Sequence, residues 1–486
     1  MLYNLDDHLD QTSDRQFDIC IVGAGAAGIT LANELLDSGL QVALIEGGGL
    51  FPPGQNELDL YQGAMGERIY PLAASRLRYL GGSTNHWGGW CRMLDTYDFE
   101  EKPHHTVSSW PIKREDLIPY YERAHQWVEI ERTQYNTLEA VDQKEHTLGD
   151  SLSNWGFVTK LFRFSPPTRF GSHYRQSLTE AENIALFIES NAVGLIHNGS
   201  TVGGVQLKSF NGAEATIKAK RFVLAMGGVE NARFLLNTAP TPDKALGNGS
   251  DFLGRCFMDH FGFTPSHMLA SSALKHFRHA SHQGSVLPVL SMSDSALRKH
   301  ALNNFSIQLI PDRPNQSLPG SALLNPGFST LTNQSEAASR FRMIYMNEPT
   351  PNPNSRITLQ NETDAFGVRR LKMDWKIHPQ DFENIERVTE LLAKALGESG
   401  QGRLQYTKKP NDNNTKNLTV SMHHMGTTRM AQSMKNGVVD PNCKVFACDN
   451  LYVAGSSVFP SSGFSNPTLT IVALAVKLAD HLAAQS

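Results

Sequence analysis

Short apolar runs that stop at small residues recur along the chain. Phe17, Ile19, Ile21 and Val22 lead into Gly23, Phe222 to Met226 lead into Gly227, and Leu451 to Ala454 lead into Gly455. Runs of this length bounded by turn signals predict strands covered on both faces, as in a parallel sheet. The first is followed by a helical pattern over 29–36, the second by one over 232–236. A further buried strand is predicted over 41–45, and another over 184–189. Alternation over 203–210 and 215–219 predicts a hairpin. Strand-like segments then appear at 304–311, 341–347, 356–359 and 371–375, with the Pro-, Asn-, Gly- and Ser-rich stretch 312–336 between the first two as a candidate loop over a site. From Pro379 a helix is expected, with Phe382, Ile385, Val388, Leu392 and Leu396 on its core face and a stop near Gly397 and Gly400. Leu117, Tyr121, His125 and Val128 share a face of an earlier helix, expected as scaffold or part of a cap.

The first strand–helix passage carries Gly23-Ala24-Gly25-Ala26-Ala27-Gly28, and the second strand ends at Glu46, 18 residues after Gly28. In this context the pattern predicts a dinucleotide site. Gly23 permits the tight turn, Gly25 lets backbone approach a pyrophosphate, Gly28 lets helix pack on strand, and the carboxylate meets ribose hydroxyls. At 486 residues with a formal charge of −4, the chain has ample material for more than one domain. That charge gives no reason to expect nucleic acid or an anionic membrane as partner. Its five cysteines are scattered without CxxC spacing, so neither a disulfide scaffold nor a zinc site is expected. The loose run His267, His276, His279 and His282 lacks neighbouring cysteine or carboxylate, and no metal is expected there. The first 16 residues hold four aspartates and no apolar core, so no export signal is expected and the cytoplasm is the expected compartment. The apolar stretch 469–476 is far below the ~20 residues a membrane span requires.

Two further segments carry chemistry. Gly81-Gly82-Ser83-Thr84-Asn85-His86-Trp87-Gly88-Gly89 describes backbone bent closely against a flat ligand. Near the C-terminus, Ser421-Met422-His423-His424-Met425-Gly426-Thr427 is followed by Gly463-Phe464-Ser465-Asn466-Pro467-Thr468, with Gly455 and Ser456 between them. Pro467 suits the first turn of a helix and Asn466 its N-cap. The positive end of that helix would favour an anion placed before it.

The fingerprint, the Gly81–Gly89 loop and the C-terminal unit together resemble the glucose-methanol-choline (GMC) oxidoreductases, two-domain flavoenzymes. The GG-x-x-x-His-Trp register is most similar to pyranose oxidase and the sugar and sugar-acid dehydrogenases. The resemblance implies an α/β plus α+β fold: a Rossmann-like FAD-binding domain from 1–110, 183–262 and 421–486, and a substrate-binding or cap domain on an antiparallel sheet with helices from 111–182 and 263–420. It implies FAD held by Gly23, Gly25, Gly28, Glu46, Gly82, Ser83, Asn85, His86, Gly455, Ser456, Pro467 and Thr468, with the backbone of Val193 at the adenine. His86 holds the place of a histidine bonded covalently to the flavin's benzenoid ring; a histidine merely packed on the ring is the alternative. His423, three residues before Gly426, falls on the family's catalytic base. Its neighbour His424 would point the other way along an extended segment. Asn466 takes the second catalytic position, where it orients an alcohol but cannot accept its proton. The family usually has proline after the pair Asp259-His260; Phe261 stands there, and His260 is expected to be structural. The implied reaction is oxidation of a CH–OH group of a sugar, glycoside or polyol by hydride transfer to flavin, with oxygen, a quinone or a protein as final acceptor. A lyase of the hydroxynitrile type on the same fold is the alternative.

Overall fold

The computed structural model describes residues 1–485 except 8–14, 69, 132, 136–146, 265, 275–278, 282–283, 312–337 and 407–417. The candidate loop 312–336, and His276 and His282, therefore lie outside the described residues.

The three apolar runs that stop at glycine become neighbours in one sheet. Its parallel part runs Leu2–Asn4, Ile184–Ile188, Val42–Ile45, Gln16–Val22, Glu214–Leu224 and Leu451–Val453. Ile184–Ile188, Val42–Ile45 and Leu451–Val453 are buried throughout, as are the last four residues of Gln16–Val22 and the last three of Glu214–Leu224, which is why these stretches read as continuous apolar runs rather than alternating ones. Glu214–Leu224 changes partners along its length. Its first residues pair antiparallel with Val202–Lys208, which continues to Asn191–His197, and its last three pair parallel with Leu451–Val453. The expected hairpin strand over 215–219 and the following buried run are thus one strand, because no turn residue separates them. Val22, Ile45, Leu224 and Val453 all end at the same edge, the carboxyl end where ligands bind in open α/β sheets.

The second sheet has ten strands among the described residues. Its main path is Gly402–Tyr406, Ser266–Leu274, Ala338–Asn347, Phe305–Pro311, Gly284–Met292, Phe157–Phe164 and Trp90–Cys91, with neighbours antiparallel. Helix Pro379–Glu398 lies against it and buries the five apolar side chains its spacing predicted. Between the sheet and the following loops, buried charges are paired. Lys102 Nζ is 2.6 Å from Glu348, and Asp95 meets Arg92 at 2.5 Å and Lys160 at 2.7 Å. Removing one member of such a pair would strand its partner in low dielectric.

Two segments lie outside the second sheet. The hairpin Arg356–Thr363 and Arg369–Asp374 joins Gly63–Met65 in a small third sheet. Arg369 reaches over to donate to the carbonyls of Ala239 (2.6 Å) and Pro240 (2.8 Å), just beyond helix Gly227–Leu236. Helix Arg114–Trp127 packs along the C-terminal helix Thr468–Ala483, with Tyr121 Oη 2.8 Å from Thr470 Oγ1 and Arg123 paired with Asp480 at 2.6 Å. Among the described residues no helix is long and apolar enough to cross a membrane.

Candidate active site

The segment that carries the two histidines is a break in an antiparallel ladder. Phe261 pairs with Val420, and the backbone N–H of Ser421 donates to the His260 carbonyl; two steps further, Met258 and Met425 exchange both their N–H···O bonds at 3.0 Å. Between these points one residue, Asp259, faces three: Met422, His423 and His424. The surplus residues bulge out of the ladder, and Met422 turns through a positive φ of 60° to allow it. Bulged N–H groups lose their ladder partners. Asp259 replaces them: its carboxylate accepts from the backbone N–H of Met422 at 3.0 Å and of His423 at 2.8 Å, and from the Tyr70 hydroxyl at 2.6 Å. Burial pushes this carboxyl up to about 7 despite those three donors. With a bulge in place of an extended strand, both histidines border the same cavity.

Their surroundings still differ. His423 Nδ1 lies 2.9 Å from His260 Nδ1, and its Nε2 lies 3.2 Å from Asn466 Nδ2. His260 in turn has its Nε2 2.8 Å from the Gly463 carbonyl. His424 instead packs beside Tyr70 and Phe257, with ring centroids 5.6 and 6.0 Å away, and its Nε2 has no hydrogen-bond partner among the described residues. Burial drives all three rings toward the neutral form. It lowers His260 to about 4, lowers His424 to about 3 with help from Arg76, and holds His423 well below the usual range, its two histidine neighbours acting in the same direction.

Asn466 does not cap the C-terminal helix. The helix begins at Thr468 with Pro467 in the cap position and no side-chain cap, because the Asn466 amide is turned to His423. Its Oδ1 is buried without a hydrogen-bond partner among the described residues. The first N–H groups of that helix are left for a ligand in the cavity that Pro467 and Thr468 line.

The cavity has a volume of about 1110 Å³, above the ~300–1,000 Å³ usual for a single small-molecule cleft. Gly23, Gly25, Glu46, Gly82, Ser83, Asn85, His86, Val193, Gly455, Ser456, Pro467, Thr468, His423 and Asn466 all line it. Gly28 does not. A Cβ there would sit 1.9 Å from the Gly23 carbonyl oxygen, so it serves close packing of helix on strand, as expected. A Cβ on Gly25 or Gly455 would meet nothing within 4 Å, which leaves open space beside both backbones. Glu46 is buried and accepts the N–H of Ala24 at 3.1 Å and of Gly48 at 2.9 Å; burial raises its carboxyl. The Gly82–Asn85 turn is tied to the fingerprint by the Gly81 N–H, 2.8 Å from the Ala24 carbonyl, and Asn85 Nδ2 braces the turn on the Leu80 carbonyl at 2.9 Å. His86 is exposed at the cavity wall, and partial desolvation there together with Arg169 lowers its pKa from the usual value.

Sequence reasoning missed Arg78, Asp259, Tyr70 and the part played by His260. Arg78 lines the cavity, donates to Asn191 Oδ1 at 2.6 Å and keeps a buried Nε without a hydrogen-bond partner among the described residues. Two arginines, Arg76 and Arg78, directly before a Gly-rich loop were the available signal. No cluster of His, Cys, Asp or Glu among the described residues could hold a metal.

These residues fit FAD. The open spaces at Gly25 and Gly455, the unmet polar atoms of Arg78 and Asn466, and two helix N-termini without side-chain caps, at Ala26 and Thr468, all face one cavity. A dinucleotide-binding sheet that opens onto a histidine–asparagine pair defines a flavin oxidoreductase. Residues 351–475 match the family model for GMC oxidoreductases, and residues 17–246 match that for pyridine nucleotide-disulphide oxidoreductases. The chain is 24% identical to a 2-methyl-1,2-propanediol dehydrogenase of Mycolicibacterium austroafricanum, over 97% of this chain and 96% of that one. It is also 24% identical to a 6'''-hydroxyparomomycin C oxidase of Streptomyces lividus, over 97% and 93%. The solved structure of pyridoxine 4-oxidase from Mesorbium loti aligns with a TM-score of 0.59 at 18% identity, covering 96% of this chain and 99% of that one. The chain thus carries a GMC oxidoreductase C-terminal domain over residues 351–475, and FAD is its cofactor.

Proposed function

We propose that this flavoenzyme oxidises a CH–OH group of a sugar, glycoside or polyol to a carbonyl, with His423 as base and Asn466 as orienter. The carrying observation is the 3.2 Å contact between His423 Nε2 and Asn466 Nδ2 at the wall of the glycine-lined cavity. Bound there, FAD supplies the acceptor for the hydride that leaves the alcohol carbon. The hydroxyl proton must leave in the same event, and a neutral imidazole takes it at Nε2. Burial keeps His423 in that neutral form, and Asp259 fixes its backbone. The Asn466 amide donates to the alcohol oxygen and continues to hold it as negative charge develops. Asn466 cannot take the proton, so the pair has one base. Gly23, Gly25, Glu46, Gly82, Ser83, Asn85, Val193, Gly455, Ser456, Pro467 and Thr468 form the cofactor cradle, with Gly28 closing the turn behind it.

A hydroxylated substrate is favoured by the two relatives named above, the 2-methyl-1,2-propanediol dehydrogenase and the 6'''-hydroxyparomomycin C oxidase. Both are redox enzymes, and the lyase alternative has no observation in its favour. Anaerobic mixing of the flavin-loaded protein with sugars, glycosides and polyols tests the reading. Bleaching of the flavin band is expected, and a band untouched by every alcohol tried would refute it.

A further inference from the structure

We propose that His260 is a positioning residue that fixes which nitrogen of His423 carries the proton, and so creates the basic lone pair at Nε2. The inference rests on the reading of His423 as base. Its physical content is a single line of contacts from the Gly463 carbonyl through His260 and His423 to Asn466.

The direction of that line follows from its fixed end. A carbonyl oxygen only accepts, so His260 must donate to Gly463 from Nε2–H. Burial keeps His260 neutral, with one ring proton, and its Nδ1 is therefore a bare acceptor. His423 meets that acceptor with its own Nδ1 at 2.9 Å, and two bare nitrogens would repel, so His423 carries its proton on Nδ1. Its Nε2 is then unprotonated and faces the Asn466 amide N–H. In the other tautomer, two lone pairs would meet between the rings and Nε2 could not accept a proton. The ring centroids are 5.2 Å apart and the two Nδ1 atoms 2.9 Å apart, so the two nitrogens lie between the rings and face each other.

The same short loop sets both ends of the line, since it carries the Gly463 carbonyl and the Asn466 side chain. Gly463 has a φ of +54°, and a Cβ there would come within 2.4 Å of the buried Asp98 carboxylate. Adjacent residues also divide the work on one histidine: Asp259 holds the His423 backbone and His260 holds its ring. In turnover, the positive charge that arises when Nε2 gains a proton is shared through Nδ1–H with the neutral His260 ring, which needs no proton of its own to respond.

The test is the histidine 15N spectrum of the flavin-loaded protein, with His423 assigned by its loss in His423→Asn. The expected signal is the Nδ1–H tautomer for His423 and the Nε2–H tautomer for His260. In His260→Phe, which removes the acceptor while keeping a ring, His423 should move toward the Nε2–H form and flavin reduction should slow about 10- to 100-fold, the range for leaving a buried donor unpaired. KM should change much less than kcat. His260→Asn, whose Oδ1 accepts near the place of Nδ1, should recover most of the loss. A wild-type His423 in the Nε2–H tautomer would overturn the proposal. So would a His260→Phe protein with wild-type tautomer and rate, or a His260→Asn protein as slow as His260→Phe. Failure of the parent reading looks different: no alcohol would reduce the flavin, or His423→Asn would reduce as fast as wild type, whatever the tautomers.

Discussion

Replacing His424 with phenylalanine converts the burial of one imidazole into a measurable pH effect. The ring is buried against Tyr70 and Phe257, its Nε2 has no partner, and its pKa is held down to about 3. An unfolded histidine titrates near 6.5. Between those values the unfolded chain binds a proton that the native site refuses. The stabilising contribution of neutral His424 is therefore complete above about 6.5 and is lost progressively as the pH falls toward 3. From pH 7.5 to 5.5 the loss from this one group is about 1.3 kcal/mol. Other groups titrate in the same range: burial holds the Asp259 and Asp381 carboxyls up at about 7, and these act in the opposite direction. They are common to both proteins and cancel in the difference. The assay is urea denaturation of wild type and His424→Phe, followed by tryptophan fluorescence at the two pH values. Whatever their difference at pH 7.5, it should shift by about 1.3 kcal/mol in favour of the variant at pH 5.5. A difference that stays constant would mean that native His424 is protonated or solvated, and the neutral character assigned to the whole histidine cluster would fall with it.

Gly228→Ala would put a methyl 2.2 Å from the His424 carbonyl oxygen, a backbone atom that cannot step aside without moving the bulge. A loss of about 1–3 kcal/mol in stability and slower flavin reduction are expected, and wild-type values for both would contradict the close packing described. Asn466→Ala should slow flavin reduction while leaving the fold intact, since no helix cap is lost; unchanged turnover would remove Asn466 from the site. His86 is kept neutral by partial desolvation and Arg169, which suits it to attack the flavin ring. Acid-precipitated protein is expected to stay yellow with a mass raised by one FAD, and a colourless pellet would limit His86 to packing.

The cofactor half of the site was legible because its constraints are local. A glycine that must turn or admit a neighbour leaves its mark at its own position, as Gly23, Gly25 and Gly28 do, and the apolar runs before them announce strands buried on both faces. His423 and Asn466 were legible through their motifs, but their surroundings were not. The contact between His260 and His423 joins residues 163 apart in sequence, and nothing local to either histidine reports it. The bulge was hidden because its positive φ falls on Met422, where a glycine would have given warning. The helix start slipped from Pro467 to Thr468, and the cap from Asn466 to Pro467, for a related reason: asparagine before proline is a strong cap signal, and here the amide is drawn to a distant histidine instead. Helix Arg114–Trp127 showed its apolar face plainly in sequence, but periodicity does not say which neighbour covers that face. Only the fold reveals the C-terminal helix there.

The most direct measurement is anaerobic stopped-flow reduction of the flavin in wild type and His423→Ala by an alcohol that bleaches the wild-type band. Loss of a general base should slow reduction by about 10²–10⁴-fold with FAD still bound. Reduction of the His423→Ala flavin at the wild-type rate would contradict the assignment of His423 as the base on which this account rests.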